Sequence, residues 1–283
     1  MPLKLISQIR THVDKHWVGD GFHVRTLFSY RSSGITVSPF LLLDYAGPEA
    51  FSPTKKVRGV ERHPHRGFET VTIVYSGQVD HKDSAGNMGK IEAGDVQWMT
   101  AGRGVLHEEW HGQEFSQVGG IFEVVQLWVN LPSSYKMAAP KYQEIAQETI
   151  PVLEGDGWQC RVIAGNYLGR QGAATTFSPV NMWDMYSKAH TNQEFQIPHG
   201  YSAILLVRYG KLNVNNVVTM ESGHIAFFDL LGDTIEVSAL EDAAFLLLSG
   251  EMIDEPIAGS GAFVMNTEKE LDQAYADYKE GRF

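Results

Sequence analysis

HPHRGFETVTIVYSGQVDH (residues 63–81) opens on a His-x-His pair, and AGDVQWMTAGRGVLHEEW (residues 93–110) ends on a His-x-Glu pair. Successive side chains of a β-strand point to opposite faces, so His63 and His65 share one face, as do His107 and Glu109. Two such pairs facing each other offer three imidazoles and one carboxylate to a single metal ion. The run from Glu69 to Tyr75 is rich in β-branched and aromatic residues and stops at Ser76-Gly77, a turn dipeptide. SAGNMGKIEAGD (84–95) supplies two turns and a short strand, and Val96–Met99 reads as another strand entering TAGRG (100–104). Glycines there allow the sharp bend that returns His107 beside His65. The expectation is a small all-β barrel with a metal at its mouth. A turn around Pro64 and a solvated charged rim would explain each pair separately, but not why four potential ligands stand at matching parity.

The spans RHPHRGFETVTIVYSGQVDHKDSAGNMGKIEAGDVQWMTAGRGVLHEEW (62–110), QLWVNLPSSYKMAAPKYQ (126–143) and LLLSGEMIDEPIAGSGAFVMNT (246–267) resemble the pirins, a branch of the cupin superfamily. The resemblance covers nearly the whole chain. It implies an all-β bicupin: two tandem cupin β-barrels of the RmlC-like jelly-roll form, with one metal ion in the N-terminal barrel only. The family's ligands fall on His63, His65, His107 and Glu109. The general cupin pattern would instead offer Glu69 as the carboxylate, since it is read as lying on the strand face of His65. In pirins that role has moved to Glu109, which makes Glu69 a supporting or structural residue. Glu108, on the face opposite Glu109, is expected to be solvated.

Three imidazoles and a carboxylate without thiolate suit a divalent first-row ion, and iron, nickel, copper, manganese or zinc would all be accepted. The resemblance implies Fe(II) as the commonest occupant. An octahedral ion with four protein ligands keeps two positions open for substrate and dioxygen. Two functions follow from the resemblance. In the first, the protein is a quercetin 2,3-dioxygenase-like enzyme that opens a flavonol ring and releases carbon monoxide, with Glu109 as both ligand and general base. In the second, it is an iron-dependent redox regulator that meets a transcription factor or a metabolic enzyme. The same four ligands serve both. Phe68, Trp98 and Met99 are candidates for the lining of an aromatic-binding mouth, although taken singly each reads better as a core residue.

At 283 residues the chain suits two domains, with ordinary globular proportions of 43% hydrophobic and 20% charged residues. The net charge of −11 disfavours direct contact with nucleic-acid phosphates. The single cysteine, Cys160, excludes an intramolecular disulfide and reads as a buried inert thiol in a strand. No apolar run approaches membrane-spanning length and the N-terminus lacks a secretory pattern, so a cytoplasmic protein is expected.

Along the chain, HVRTLFS (23–29), a turn at RSSG (31–34) and FLLLDYAG (40–47) precede a basic loop, Lys55–Arg62, whose Arg58 or Arg62 could meet an anion. His12, His16 and His23 have no partner at ligand spacing and are read as surface or packing residues. The N-terminal domain spans 1–131, a linker 132–150 lies between prolines, and the C-terminal domain spans 151–283. The second half repeats the first: FQIPHGYSAILLVRYGKLNV (195–214) lies over 62–81 and MESGHIAFF (220–228) over 91–99. Gln196, Pro198 and Ser202 then replace His63, His65 and Glu69, which predicts a metal-free copy. His190, His199 and His224 form no pair of matching parity and are read as structural. The tail is predicted to be helical, capped by Thr267 and Glu270, with Leu271, Ala274, Tyr275 and Tyr278 as its apolar stripe and Gly281 as its stop.

Overall fold

The computed structural model describes residues 2–31, 35 and 37–283. Strands dominate it, as the period-2 patterning requires, and the chain forms two compact units. One unit comprises Asp14–Ser29, Phe40–Gln147 and Ile253–Phe283; the other comprises Met1–Val13, Tyr30–Pro39 and Glu148–Met252.

Each unit pairs a seven-stranded sheet with a four-stranded one, the two-sheet form of a cupin barrel. In the first unit the large sheet runs in the order Lys141–Ile145, Val96–Thr100, Phe68–Ser76, Gly120–Asn130, Phe40–Phe51, Phe22–Ser29 and His16–Val18. The small sheet runs Gly59–His65, Val105–His111, Val79–Asp83 and Met88–Ile91. The second unit repeats this pattern, with Ser202–Tyr209 and Ile225–Phe228 in the places of Phe68–Ser76 and Val96–Thr100. Register agrees with the internal alignment residue by residue: Thr70 pairs with Met99, and Ala203 with Phe228. The aligned glycines also share a left-handed backbone, at φ of 88° and 78° for Gly67 and Gly200 and 87° and 78° for Gly77 and Gly210.

The units are not cut at residues 131 and 151. Lys141–Ile145, inside the expected linker, pairs antiparallel with Val96–Thr100 as an edge strand of the first unit. Ile6–Arg10 takes the corresponding edge of the second unit against Ile225–Phe228. The tail from Ile253 belongs with the first unit, because its hairpin and helix pack beside the loop that follows His65. A β-strand's partner is set by register between distant segments, which local composition does not encode. The turn expected at RSSG falls largely on Ser32–Gly34, outside the described residues.

The C-terminal helix Glu268–Lys279 carries the predicted capping box at Thr267 and Glu270. It buries Leu271 and Ala274 against Phe263 and Met265, while Tyr275 and Tyr278 flank that contact edge-on to Phe263. The buried Arg66 guanidinium donates to Asp277 Oδ2 at 2.8 Å and lies 4.4 Å over the Phe283 ring. Lys136 Nζ, also buried, donates to the carbonyls of Gly67 (2.9 Å) and Val264 (2.8 Å) and to Asn130 Oδ1 (2.8 Å), and burial pulls its pKa down to about 8. Two cations thus fasten the tail to residues 66 and 67, immediately after His65.

Replacing Asp277 by alanine leaves the Arg66 charge buried and unpaired, which costs about 3 kcal/mol. The expected result is a clear fall in melting temperature with weaker metal retention, measured by thermal unfolding and elemental analysis; an unchanged melting temperature would show that the pair contributes nothing.

Candidate metal centre

The local sequence turns the histidines inward by simple alternation. Along Val105–His111 the side chains of Val105, His107, Glu109 and His111 are buried, whereas Leu106, Glu108 and Trp110 are half-exposed. The antiparallel neighbour places His63 directly opposite His107 and His65 opposite Val105. A register shift between His107 and Glu109 sets Glu109 opposite Val60 on this side. On its other side, Glu109 faces His81 of Val79–Asp83.

Three imidazoles converge: ring centroids lie 4.3 Å apart for His63 and His107 and 4.7 Å apart for each other pair. Nε2 of His63 and Nε2 of His65 are separated by 3.1 Å. His63 Nδ1 lies 2.8 Å from the Glu61 carbonyl, which can only accept, so the Nδ1 proton is committed there and Nε2 presents a lone pair. Nε2 of His107 is buried with no hydrogen-bond partner. Burial, reinforced by the neighbouring rings, holds the pKa of His65 and of His107 well below the ordinary imidazole value. Neutral imidazoles with converging lone pairs are the donor set of a divalent cation, and these residues fit one.

Glu109 is fixed by a fan of donors. Its Oε1 accepts from Gln97 Nε2 at 2.9 Å and Thr72 Oγ1 at 3.4 Å, and its Oε2 accepts from Gln126 Nε2 at 2.8 Å. Tyr142 sets the Gln97 amide by donating to its Oε1 at 3.0 Å, leaving Nε2 for Glu109. The same Tyr142 ring stacks on His81, 5.0 Å away at 23°. Two sets of ligand atoms therefore meet at His107: one with His63 and His65, the other with His81 and Glu109, each set spanning less than 4.8 Å.

His81, Tyr142, Gln97 and Gln126 were not singled out as site residues from sequence. His81 could have been, because VDHKD alternates inward Val79, His81 and Asp83 at the parity of a third site strand. Tyr142 was hidden in the supposed linker. Glu69 stands differently from its expected position. The left-handed turn at Gly67 resets the alternation, so Thr70 and Thr72 face Glu109 while Glu69 points to the other side of the sheet. There its carboxyl accepts from Thr100 Oγ1 at 2.7 Å, and burial raises its pKa to about 7. Trp98 shares that opposite face and is fully buried, so it does not line the mouth. Phe68 is also buried but does abut the site, 5.1 Å from His65 and 4.3 Å from Trp128. Met99 packs with Ala101 and Val105.

Arg58 lies over the Phe51 ring, and Arg62 lines an open groove with His63, Glu61, Glu108 and Glu109. The second unit fills the corresponding interior with Phe195, Leu212, Val214, Ile235 and Val237. His199 there bonds Asp233 and His224 accepts from the Glu221 amide. Cys160 is buried in a strand, and burial pushes its thiol pKa up, away from reactivity.

Fold and site together define a bicupin with a His/Glu metal-type cluster in one barrel. A family profile described as Pirin matches residues 21–129, and one described as Pirin C-terminal cupin domain matches residues 182–283; the chain belongs to the pirin family. It is 49% identical to a Pseudomonas aeruginosa protein named "Putative quercetin 2,3-dioxygenase PA2418", over 99% of each chain. It is 38% identical to Pirin-1 of Arabidopsis thaliana, over 100% of this chain and 95% of the other. A crystal structure of quercetin 2,3-dioxygenase from Acinetobacter baumannii superposes with a TM-score of 0.96 at 50% identity, covering 99% of this chain and 98% of that one. No helix among the described residues is long and apolar enough to cross a membrane.

Elemental analysis of purified variants tests the ligand set. His63→Ala and His107→Ala are expected to lose the metal, while His190→Ala and His199→Ala keep one ion per chain; retention in His63→Ala, or two ions per chain in the native protein, would refute the assignment. A pH expectation follows for protein stripped of metal. His65 and His107 bind fewer protons folded than unfolded, so stability is full above the unfolded imidazole pKa of about 6.5 and declines as pH falls below it. Melting temperatures across that range should fall in the native protein and fall less in His65→Asn.

Proposed function

We propose that this protein is a metal-dependent dioxygenase that opens the ring of flavonol-type aromatics such as quercetin with dioxygen and releases carbon monoxide. The observation that carries this reading is the position of Glu109. It borders both the groove beside His63 and an apolar cavity lined by Phe22, Val24, Val60 and Val124. A flat aromatic entering from that groove would put its hydroxyl next to the Glu109 carboxylate and the His63 imidazole. The relatives named for quercetin cleavage, at about half identity across the whole chain, support the same chemistry.

In this reading His63, His65, His107 and Glu109 hold Fe(II), and the donor set would also accept zinc, nickel, copper or manganese. The ion supplies Lewis acidity and open positions for a substrate oxygen and dioxygen. The remaining work falls to side chains. Gln97 and Gln126 hold the Glu109 carboxylate in one orientation, so that it accepts the proton of the flavonol hydroxyl as that oxygen becomes anionic. Proton transfer to a positioned base contributes about 10²–10⁴-fold. Tyr142 locks the Gln97 amide, and Phe68 and Trp128 close the apolar wall behind His65 and exclude water.

Anaerobic mixing of iron-loaded protein with quercetin, followed by oxygen, tests the proposal: one dioxygen should be consumed and one carbon monoxide released per ring opened. Glu109→Gln should reduce turnover by at least about 10²-fold, whereas Glu69→Gln, on the opposite face of its strand, should change it little. Absence of turnover with any of the five metals would sink the enzymatic reading. A ferrous-to-ferric change in affinity for a protein partner would then favour the redox regulator.

A further inference from the structure

His81 is the buried imidazole that the proposed ligand set leaves over. It lies in the strand Val79–Asp83, next to the strand Val105–His111. Register pairs His81 with Glu109 and Asp83 with His107, so His81 and His107 meet on a diagonal between the two strands. Nδ1 of one ring is 3.5 Å from Nδ1 of the other. The Tyr142 ring, stacked on His81 at 5.0 Å and 23°, fixes the plane in which the His81 nitrogens lie.

A hydrogen bond between the two rings needs a proton on one Nδ1 and a lone pair on the other, and the surroundings decide which. His81 Nε2 lies 3.5 Å from Asp83 Oδ2. Asp83 also accepts from the Asn87 backbone N–H at 2.9 Å and from Asn87 Nδ2 at 2.8 Å. Burial pushes the Asp83 pKa up, but the His81 and Asn87 donors outweigh it and hold the carboxyl below its ordinary value. An ionised carboxylate only accepts, so the His81 proton belongs on Nε2 and its Nδ1 offers a lone pair to His107. His107 then carries its proton on Nδ1. Its Nε2, buried with no hydrogen-bond partner among the described residues, keeps a lone pair. The opposite tautomer of His107 would bury an N–H without an acceptor at Nε2 and set two lone pairs against each other at Nδ1.

We propose that His81, backed by Asp83, is a positioning residue that accepts a hydrogen bond from Nδ1 of His107 and so fixes the tautomer in which His107 Nε2 is free to bind a divalent metal ion. A histidine that holds a metal regularly ties its other nitrogen to a carboxylate, a carbonyl or a water. Here the acceptor is a second imidazole, which passes the constraint on to a carboxylate anchored in the turn at Asn87. This inference rests on the reading of His107 as a metal ligand and is independent of whether the protein opens a flavonol ring. His81 also lies within ligand reach of His107 and Glu109, so the rival reading is that His81 binds the ion itself.

Zinc, which is diamagnetic, is the probe. Long-range proton–nitrogen NMR of the zinc-loaded native protein with isotope-labelled histidine reports which nitrogen of each ring is protonated, bare or metal-bound. The expected result is His107 protonated at Nδ1 with zinc at Nε2, and His81 protonated at Nε2 with Nδ1 bare. His81 protonated at Nδ1, or carrying zinc, would overturn the proposal. Zinc affinity, measured by competition with a chromophoric chelator, gives a second readout. His81→Phe keeps a ring against Tyr142 but removes the acceptor, and should weaken zinc binding by about 10–100-fold while still taking one ion per chain at saturation. His81→Asn, whose amide oxygen can stand in for Nδ1, should recover most of that loss, which a purely space-filling role would not require. Unchanged affinity in folded His81→Phe, or equal losses in the two variants, would overturn the proposal; the NMR experiment needs no variant and decides the case if His81→Phe folds poorly. A native protein that takes up no zinc, or His107→Ala with native affinity, would end the ligand assignment and this inference together. The expected tautomers in a protein that turns over no flavonol would support His81 in this role and count against the dioxygenase.

Discussion

Nε2 of His63 and Nε2 of His65 face each other across 3.1 Å, with the other His63 nitrogen committed to a backbone carbonyl. His63 Nε2 presents a lone pair beside the His65 ring, and burial keeps a second proton off His65 and His107. Neutral imidazoles gathered in this way are a donor set that a divalent cation can take. Much of what surrounds the cluster supports that convergence.

That support comes from three directions. The tail grips the loop after His65 through Arg66, which donates to Asp277, and through Lys136, which donates to the carbonyls of Gly67 and Val264. The edge strand Lys141–Ile145 supplies Tyr142, which orients Gln97 and through it Glu109. The strand Gly120–Asn130 supplies Gln126 to the other oxygen of the same carboxylate. A carboxylate with both oxygens already hydrogen-bonded cannot swing freely, so the outer residues set the geometry of the inner ones.

The two units illustrate how little separates a metal-type barrel from a packed one. Strand order and register agree between them, and so do the left-handed glycines at equivalent turns. The difference is confined to inward-facing positions, which carry imidazoles in one and Phe195, Leu212, Val214, Ile235 and Val237 in the other. Apolar filling makes a stable interior without ligands, whereas a cluster of buried imidazoles gives up that packing for a capacity to bind.

Alternation along a single strand was sufficient to read His63 with His65 and His107 with Glu109, because parity is a local property of the backbone. The duplication was legible for the same reason, since glycines that demand positive φ recur at matching places. Parity failed at Glu69, where Gly67 interrupts the strand and the count from His65 no longer applies. What the linear chain did not contain was register between strands far apart in it. His81 opposite Glu109, Tyr142 above Gln97, and Asp83 opposite His107 all depend on which strands lie together, and on which residue faces which. The edge strand and the tail followed suit, assigned to the first unit by hydrogen bonds and buried charges that no local pattern records.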